Sequence, residues 1–481
     1  MGSPAEALRK RHLTLTSGES PDVAPRLASE EIDVNTTGSA SARWNDLIQE
    51  SDPVNDLIES LSVTDKRPAF IIPAFTKLVV LRPLFMSADQ IALQRTASEA
   101  VLSAHRKVIH AVLEDDSLRA RHFSSFFEWT EKVLGLDRRG PVHATCLRLD
   151  GSLADGKPAF FELNADMPQG VGLVDSCARF MEKLPFVKEF EIEYSSKPML
   201  LQEFFLQALL AEWESWGGKG SPRICFVTWR DEPVRRTDMI INCEYFASRG
   251  FDALVADPRE LDFNDGSLSA NGRQVDLVYR VISTAETLDR PDEMDALVRA
   301  EKANTILMVN SFRSELLGNK AMFALLQDDS LQGVLTAEER NAVRNCIPWT
   351  RIMCDGLCTD FSGAEIDLTS WVLDHREELV LKPTHDFGGH GVTLGSCSDD
   401  REWESAVITA LENDFIVQRK IGLGRSAYPV AEKGIPVCEL YEDVDPLMLR
   451  NKYAGCITRL SEDEITNVHL HGAMGATFEL V

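Results

Sequence analysis

The 481-residue sequence predicts a mixed α+β or α/β protein of two or three packed units, and three observations lead there. Segments with a 3.6-residue apolar period alternate with short β-branched runs over most of the chain. The length is two to three times that of a usual domain. There is no internal repeat and no heptad array, and the alternation argues against a sandwich or a bundle.

The elements follow in chain order. Residues 1 to about 45 are rich in Ser, Thr, Pro, Glu and Asp and show no sustained apolar period, so a mobile leader is expected there. Two apolar runs broken by prolines predict an interrupted strand over 68–83. Ser87 then caps a long helix with apolar residues at 91, 93, 97, 101 and 102. A second helix is expected near 116–134, followed by β-rich runs at 142–150 and 158–164. Helices are expected at 172–183, 198–216, 238–249 and 285–304, with strands at 223–229, 253–256 and 275–281. The last third predicts helices at 318–327, 336–345, 363–377 and 401–412. Its strands fall at 378–382, 391–395, 415–420, 436–442 and 454–460.

Composition excludes some functions. Fifty basic residues face 76 acidic ones, a formal net charge of -26. Such a chain repels nucleic acid and anionic membrane surfaces. No apolar run approaches the roughly 20 residues a bilayer span needs. Met1-Gly2-Ser3-Pro4 opens without the apolar core of a secretory signal, and Glu6 does not suit myristoylation at Gly2. The ten cysteines form no C-x-x-C pair, and Cys354 and Cys358 have no histidine at zinc spacing. Reduced cysteines in the cytoplasm are expected.

The stretch 142–164 carries the most chemistry. Asp155-Gly156 is a hairpin signal between two alternating runs. A turn centred on Gly156 sets Asp150 opposite Glu162 and Arg148 opposite Asn164. Residues two apart share a strand face, so these four form one cluster. Opposed carboxylates repel on a hairpin, and a bound cation removes the repulsion. Two carboxylates and an amide carbonyl suit Mg²⁺. The plain alternative is a solvated, acidic hairpin. Beyond Asn164, residues 165–172 form a turn into a helix whose amides either meet an anion or simply connect the elements.

A second constellation lies downstream. Leu379-Val-Leu-Lys382 is an apolar strand ending in a lysine, followed by Gly388, Gly389 and Gly391. Such a loop folds close over a ligand and points its amides at phosphate oxygens, with Lys382 as a point charge. It is neither a Walker loop nor G-x-G-x-x-G. Lys320 opens a helix, and Gln418 ends an apolar strand whose backbone can face an adenine edge. Taken singly, these are also the marks of a hairpin turn, a surface lysine and a core strand.

Together these residues resemble the ATP-grasp superfamily, and within it the synthetase domain of glutathionylspermidine synthase and its circularly permuted relatives. The resemblance covers about 68–481. It implies that Asp150, Glu162 and Asn164 bind Mg²⁺, and that Lys320, Lys382, the glycines and Gln418 hold ATP. The carboxylates precede the lysines in the chain, which is the permuted order. Residues 46–310 then form a substrate region including the hairpin, and 311–481 the nucleotide-binding region. Arg280, in Val275-Asp-Leu-Val-Tyr-Arg280, resembles an arginine that reaches the active site in permuted members, and its plain alternative is a structural ion pair. Residues 453–459 and 466–472 resemble loops that close the site. His469 and His471 share a strand face, yet no third metal ligand is visible. Two departures stand out: no Cys/His amidase arrangement is read beside this region, and Met167, Pro168 and Gln169 replace the family's serines. Glutathione and spermidine are therefore not assigned as substrates.

The resemblance implies an ATP- and Mg²⁺-dependent carboxylate–amine ligase that works through an acyl phosphate. Arg148 would steady the transferring phosphoryl group, and Arg280 would hold a substrate carboxylate. The expected partners are a small carboxylate and an amine, with a homodimer left open. A phosphotransferase on the same fold and a non-catalytic ATP-binding protein are the competing readings.

Overall fold

The computed structural model describes residues 34–481 apart from 52–53, 55–67, 73–77, 119–126, 138–141, 143, 386–390, 433 and 465–471. Its centre is a six-stranded antiparallel sheet. Across it run Ala473–Gly475, Lys452–Ser461, Val437–Leu449, Cys146–Ser152 and Ala159–Asn164, and Gly424–Pro429 adds a further pairing to Val437–Leu449. The early hairpin and the C-terminal strands thus share one sheet, which crosses the boundary expected at 310. A parallel four-stranded sheet has the order Leu307–Val309, Leu277–Arg280, Ile224–Val227, Ala253–Ala256. An antiparallel sheet has the order Thr350–Ile352, Phe415–Arg419, Leu379–Pro383, Thr393–Leu394.

The long helix runs Ala88–Glu114, and Ser87 and Gln90 form its capping box. Its buried stripe includes Ile91, Ala97, Val101 and Leu102, with Val108, Ile109 and Val112 extending it. The helices Val171–Met181, Gln202–Trp216, Pro233–Ser248, Ala337–Cys346 and Asp400–Glu412 lie close to their expected places.

Other expectations give way. Helix Val34–Glu50 begins inside the stretch read as a leader; residues 1–33 lie outside the described residues. Its Trp44 is fully buried, packs edge-on against Phe85, Phe186, Phe190 and Phe478, and donates its indole N–H to Leu81 O at 2.8 Å. Among the described residues, 68–83 holds only an isolated bridge from Val80 to Val430, and a strand begins at Leu84. The helix expected over 363–377 is a strand, Glu365–Asp367, then a helix, Leu368–Asp374, because the Asp367 side chain caps at Ser370 N. Arg290-Pro291 splits 284–302 into two helices, with Pro291 at the first turn of the second. The helix expected over 318–327 is the short helix Ala321–Leu325, preceded by a separate one, Ser314–Gly318, with Lys320 between them.

Asn310 locks the sheets together. Its Oδ1 accepts from the amides of Thr145 (2.9 Å) and Cys146 (3.1 Å), and its Nδ2 donates to the carbonyls of Cys146 and Ala165, both at 2.6 Å. The side chain is buried at 1% exposure, so it fixes both ends of the Cys146–Asn164 hairpin against the end of strand Leu307–Val309 without help from water. Asn310→Ala leaves buried backbone groups unanswered and is expected to cost about 3 kcal/mol. Urea unfolding with an unchanged slope and a lower midpoint would show this; an unchanged midpoint would contradict it.

Candidate active site

The hairpin register is the one read from the sequence where it matters: Arg148 pairs with Asn164, Leu149 with Leu163 and Asp150 with Glu162. The tip differs. Ala154–Gly156 is a single 3-10 turn, with Gly156 at φ 70°, and the register slips so that Gly151 pairs with Phe160. Phe161 is the extra residue of this bulge. A Cβ on Gly151 would lie 2.5 Å from Ala159 O, so only glycine fits beside it. Phe161 O, left out of the ladder, accepts from Lys382 Nζ at 3.3 Å.

Two elements bring the lysines to this hairpin. Gly318 lets its helix approach within touching distance, since a Cβ there would meet Leu163 O at 3.0 Å. Lys320, two residues on, lies 3.2 Å from Glu162 Oε1, and its amide is bonded to Thr384 O. From strand Leu379–Pro383, Lys382 Nζ reaches Gln418 Oε1 at 2.8 Å, while Gln418 Nε2 donates to Thr350 Oγ1 at 3.0 Å. Arg148, Asp150, Glu162, Asn164, Lys320, Lys382 and Gln418 all line one cavity of about 520 Å³. Gly388 and Gly389 fall outside the described residues, as do His469 and His471. Gly391 is described, with φ at 68°.

Lys382 is a buried cation with neutral partners. Among the described residues no carboxylate lies within ion-pair distance of it; a side-chain amide, a backbone carbonyl and the Phe161 ring at 4.8 Å surround its ammonium. Burial pushes its pKa down to about 8, with Glu162 pulling it up and Lys320 down again.

Three residues of the cluster escaped the sequence reading as site groups. Asp443 and Asp445 lie on strand Val437–Leu449, and Arg459 on Lys452–Ser461. One ligand atom from each of Asp150, Asp443 and Asp445 falls within 4.8 Å of the others, and all three residues are buried. Arg459 Nη2 stands 2.5 Å from both Asp150 Oδ2 and Asp443 Oδ2, and its Nε is 3.0 Å from Asp445 Oδ2. Arg148 grips Asp150 from the other side, Nε to Oδ1 at 2.7 Å and Nη2 to Oδ2 at 2.9 Å. Burial opposes the charge on Asp150, but Arg148 and Arg459 outweigh it and hold the carboxyl below its usual range. Asp445 goes the other way: burial, with Asp150 and Asp443 beside it, lifts its pKa well above normal against the pull of Arg459. The signal was present as Asp443-Val-Asp445, two acids on one face of a strand, and Arg459 stood in a segment read as a closing loop.

Arg280 is placed elsewhere. It is fully buried, its guanidinium is bonded to Asp166 Oδ1 and to the Ile282 carbonyl, and it lies 4.7 Å from the Phe312 ring. It does not line the cavity. Its ion-pair partner Asp166 does line the cavity.

The opposed carboxylates find their counter-charges within the protein: Arg148 and Arg459 for Asp150, Lys320 for Glu162. The donor set still fits a hard divalent cation. Asp150, Glu162 and Asn164 all line the cavity, and their side chains carry the carboxylate and amide oxygens that such a cation takes as ligands. No helix among the described residues is long and apolar enough to cross a membrane.

The sequence matches no protein-family model and no curated protein. Solved structures do match. A glutathione synthetase-like effector from Globodera pallida, in its apo form, is 11% identical and aligns over 95% of this chain and 99% of its own, with a TM-score of 0.53. The chain shares the fold of that protein. A putative gamma-glutamylcysteine synthetase from Methylobacillus flagellatus is 10% identical over 82% of this chain and 89% of its own, but its TM-score of 0.39 carries no argument. Nothing in these matches singles out glutathionylspermidine synthase.

A charged lysine buried beside neutral groups costs stability that a ligand must restore. Below about pH 8 the folded chain bears that cost in full, and it fades between pH 8 and 10.5 as folded Lys382 loses its proton before the unfolded chain does. Lys382→Met is therefore expected to stabilise the protein by about 1–3 kcal/mol at pH 7, with the gain shrinking above pH 8. Denaturant midpoints at pH 7 and 9.5 measure it; a destabilised variant at pH 7 would contradict the account.

Proposed function

We propose that the chain is an ADP-forming, ATP- and Mg²⁺-dependent ligase that joins a carboxylate to an amine. The observation that carries this reading is Lys382: a buried cation, held by neutral partners, facing a cavity that also presents carboxylate and amide oxygens. Such a lysine is suited to an anion that arrives, and the ATP that the sequence resemblance implies brings a polyphosphate. The fold shared with a glutathione synthetase-like protein supports the same class of chemistry.

In this reading Lys320, Lys382 and Gln418 hold the nucleotide, with the glycine loop around Gly388, Gly389 and Gly391 covering it. Asp150, Glu162 and Asn164 hold Mg²⁺, which would neutralise phosphate charge during transfer. Arg148, bonded to Asp150 and to Gln169 O at 3.3 Å, would steady the transferring phosphoryl group or the acyl-phosphate oxygen. No protein nucleophile is required, because positioning and charge neutralisation carry such a transfer. The carboxylates come before the lysines in the chain, which supports the permuted order. The strands that bring these groups together come from both sides of residue 310, so the substrate and nucleotide regions share the central sheet.

The decisive experiment incubates the chain with Mg·ATP, candidate acids and hydroxylamine. An acid-dependent hydroxamate, with ADP released, is the expected result, and replacing hydroxylamine by the right amine should give the amide. Phosphate transfer to an acceptor without a trapped acyl phosphate would favour the phosphotransferase reading. ATP binding with no turnover under any combination would favour the non-catalytic one.

The state of Lys382 supplies a pH test. Phosphate needs the protonated lysine, whose pKa without phosphate stands near 8. Below pH 8 the ATP dissociation constant is expected to be flat in pH; above it, affinity falls by up to about tenfold per pH unit as a proton must be taken up to bind. A flat profile from pH 7 to 9.5 would remove Lys382 from the phosphate site.

A further inference from the structure

Asp150 differs from the other two candidate metal donors. Among the described residues Glu162 forms an ion pair with Lys320 at 3.2 Å, and Asn164 is neutral. Asp150 has Oδ2 filled by Arg148 Nη2 and Arg459 Nη2, and one lone pair of Oδ1 taken by Arg148 Nε. A divalent cation seated on the remaining lone pair would stand beside two guanidinium groups and be repelled by both. One of the two arginines must withdraw before Asp150 becomes a good ligand.

The surroundings say which. Arg148 is bidentate to Asp150 from two residues along the same strand, and its other contacts are a backbone carbonyl at 3.3 Å and, farther off, Asp445 Oδ2 at 3.6 Å from its Nε. Releasing Asp150 would strip it of its nearest carboxylate. Arg459 has an alternative: Asp443 Oδ2 at 2.5 Å and Asp445 Oδ2 at 3.0 Å already hold it on the adjoining strand. It can leave Asp150 and remain paired in a buried site, where an unpaired charge would be prohibitive. Asp443 and Asp445 are then not metal ligands but the resting place of the arginine.

We propose that Arg459 is a movable counter-charge which occupies Asp150 until an incoming polyphosphate and metal take over that carboxylate, so that metal and nucleotide bind together and metal alone binds poorly. Arg459 is on this account a positioning residue. The inference rests on the ligase reading and on its assignment of Asp150 as a metal donor.

The test titrates Mn²⁺ into the full chain by electron paramagnetic resonance, without nucleotide and with a non-hydrolysable ATP analogue. The native chain should bind Mn²⁺ weakly alone and well with the analogue. R459Q should bind Mn²⁺ alone about tenfold more tightly than the native chain. That gain should vanish in D150N/R459Q and persist in D443N/R459Q, which separates a freed Asp150 from a general rise in negative charge. Circular dichroism checks folding; if R459Q does not fold, R459K, whose single ammonium cannot span three carboxylates, should show a smaller gain of the same sign. Unchanged Mn²⁺ affinity in a folded Arg459 variant, or a gain that survives D150N, overturns the proposal while leaving analogue binding and the ligase reading intact. Absence of analogue-dependent Mn²⁺ binding in the native chain overturns the ligase reading and this inference with it.

Discussion

Charge buried on one face of the central sheet constrains everything around it. Asp150, Asp443, Asp445 and the arginines Arg148 and Arg459 come from three adjacent strands and lie within ion-pair reach of one another. In a poorly solvated site none of them can be left alone, because removing one partner of such a network typically costs several kcal/mol. The register of the sheet follows from this. A one-residue slip of any strand would turn its charges to the opposite face and its apolar residues into the cavity. The glycine at 151 and the bulge beside it preserve that register while freeing Phe161 O for Lys382.

Lys382 is the exception that gives the site its direction. The carboxylates and arginines lie in ion pairs with one another, but this lysine is met by an amide, a carbonyl and an aromatic ring. A fold optimised for stability alone would not bury a cation this way. Functional sites are where such local costs persist, and here the cost is matched to a phosphate-bearing ligand. Asn310, locked to four backbone groups, supplies the rigidity that keeps the hairpin in place.

Much of this was legible in the sequence, and what was not has physical reasons. The Asp150–Glu162 pairing followed from strict alternation around a glycine turn. The bulge did not, because it offsets a longer 3-10 tip and leaves the pairing at 148–150 unchanged. Asp443 and Asp445 were missed because the strand was expected to end at 442, short of both acids, whereas it continues to Leu449 through a register shift. Their burial depends on Arg459, which is distant in neither sequence nor space but lies on the next strand. The ion pair of Arg280 was legible only as an alternative, because its partner Asp166 lies more than a hundred residues away in the chain. The helix Val34–Glu50 was hidden by its Ser- and Thr-rich first turns, and it is anchored by tertiary contacts of Trp44 that composition cannot show.

The central claim is that the hairpin and the two lysines form one Mg·ATP site. Thermal unfolding of the native chain and of Glu162→Ala, each with and without saturating Mg·ATP, tests it most directly. Ligand at about 100 times its dissociation constant adds roughly 2.7 kcal/mol to the folded state. The account requires a magnesium-dependent upshift in the native chain that is lost in the variant. No shift in the native chain across a wide range of Mg·ATP, or an equal shift in both proteins, would contradict it.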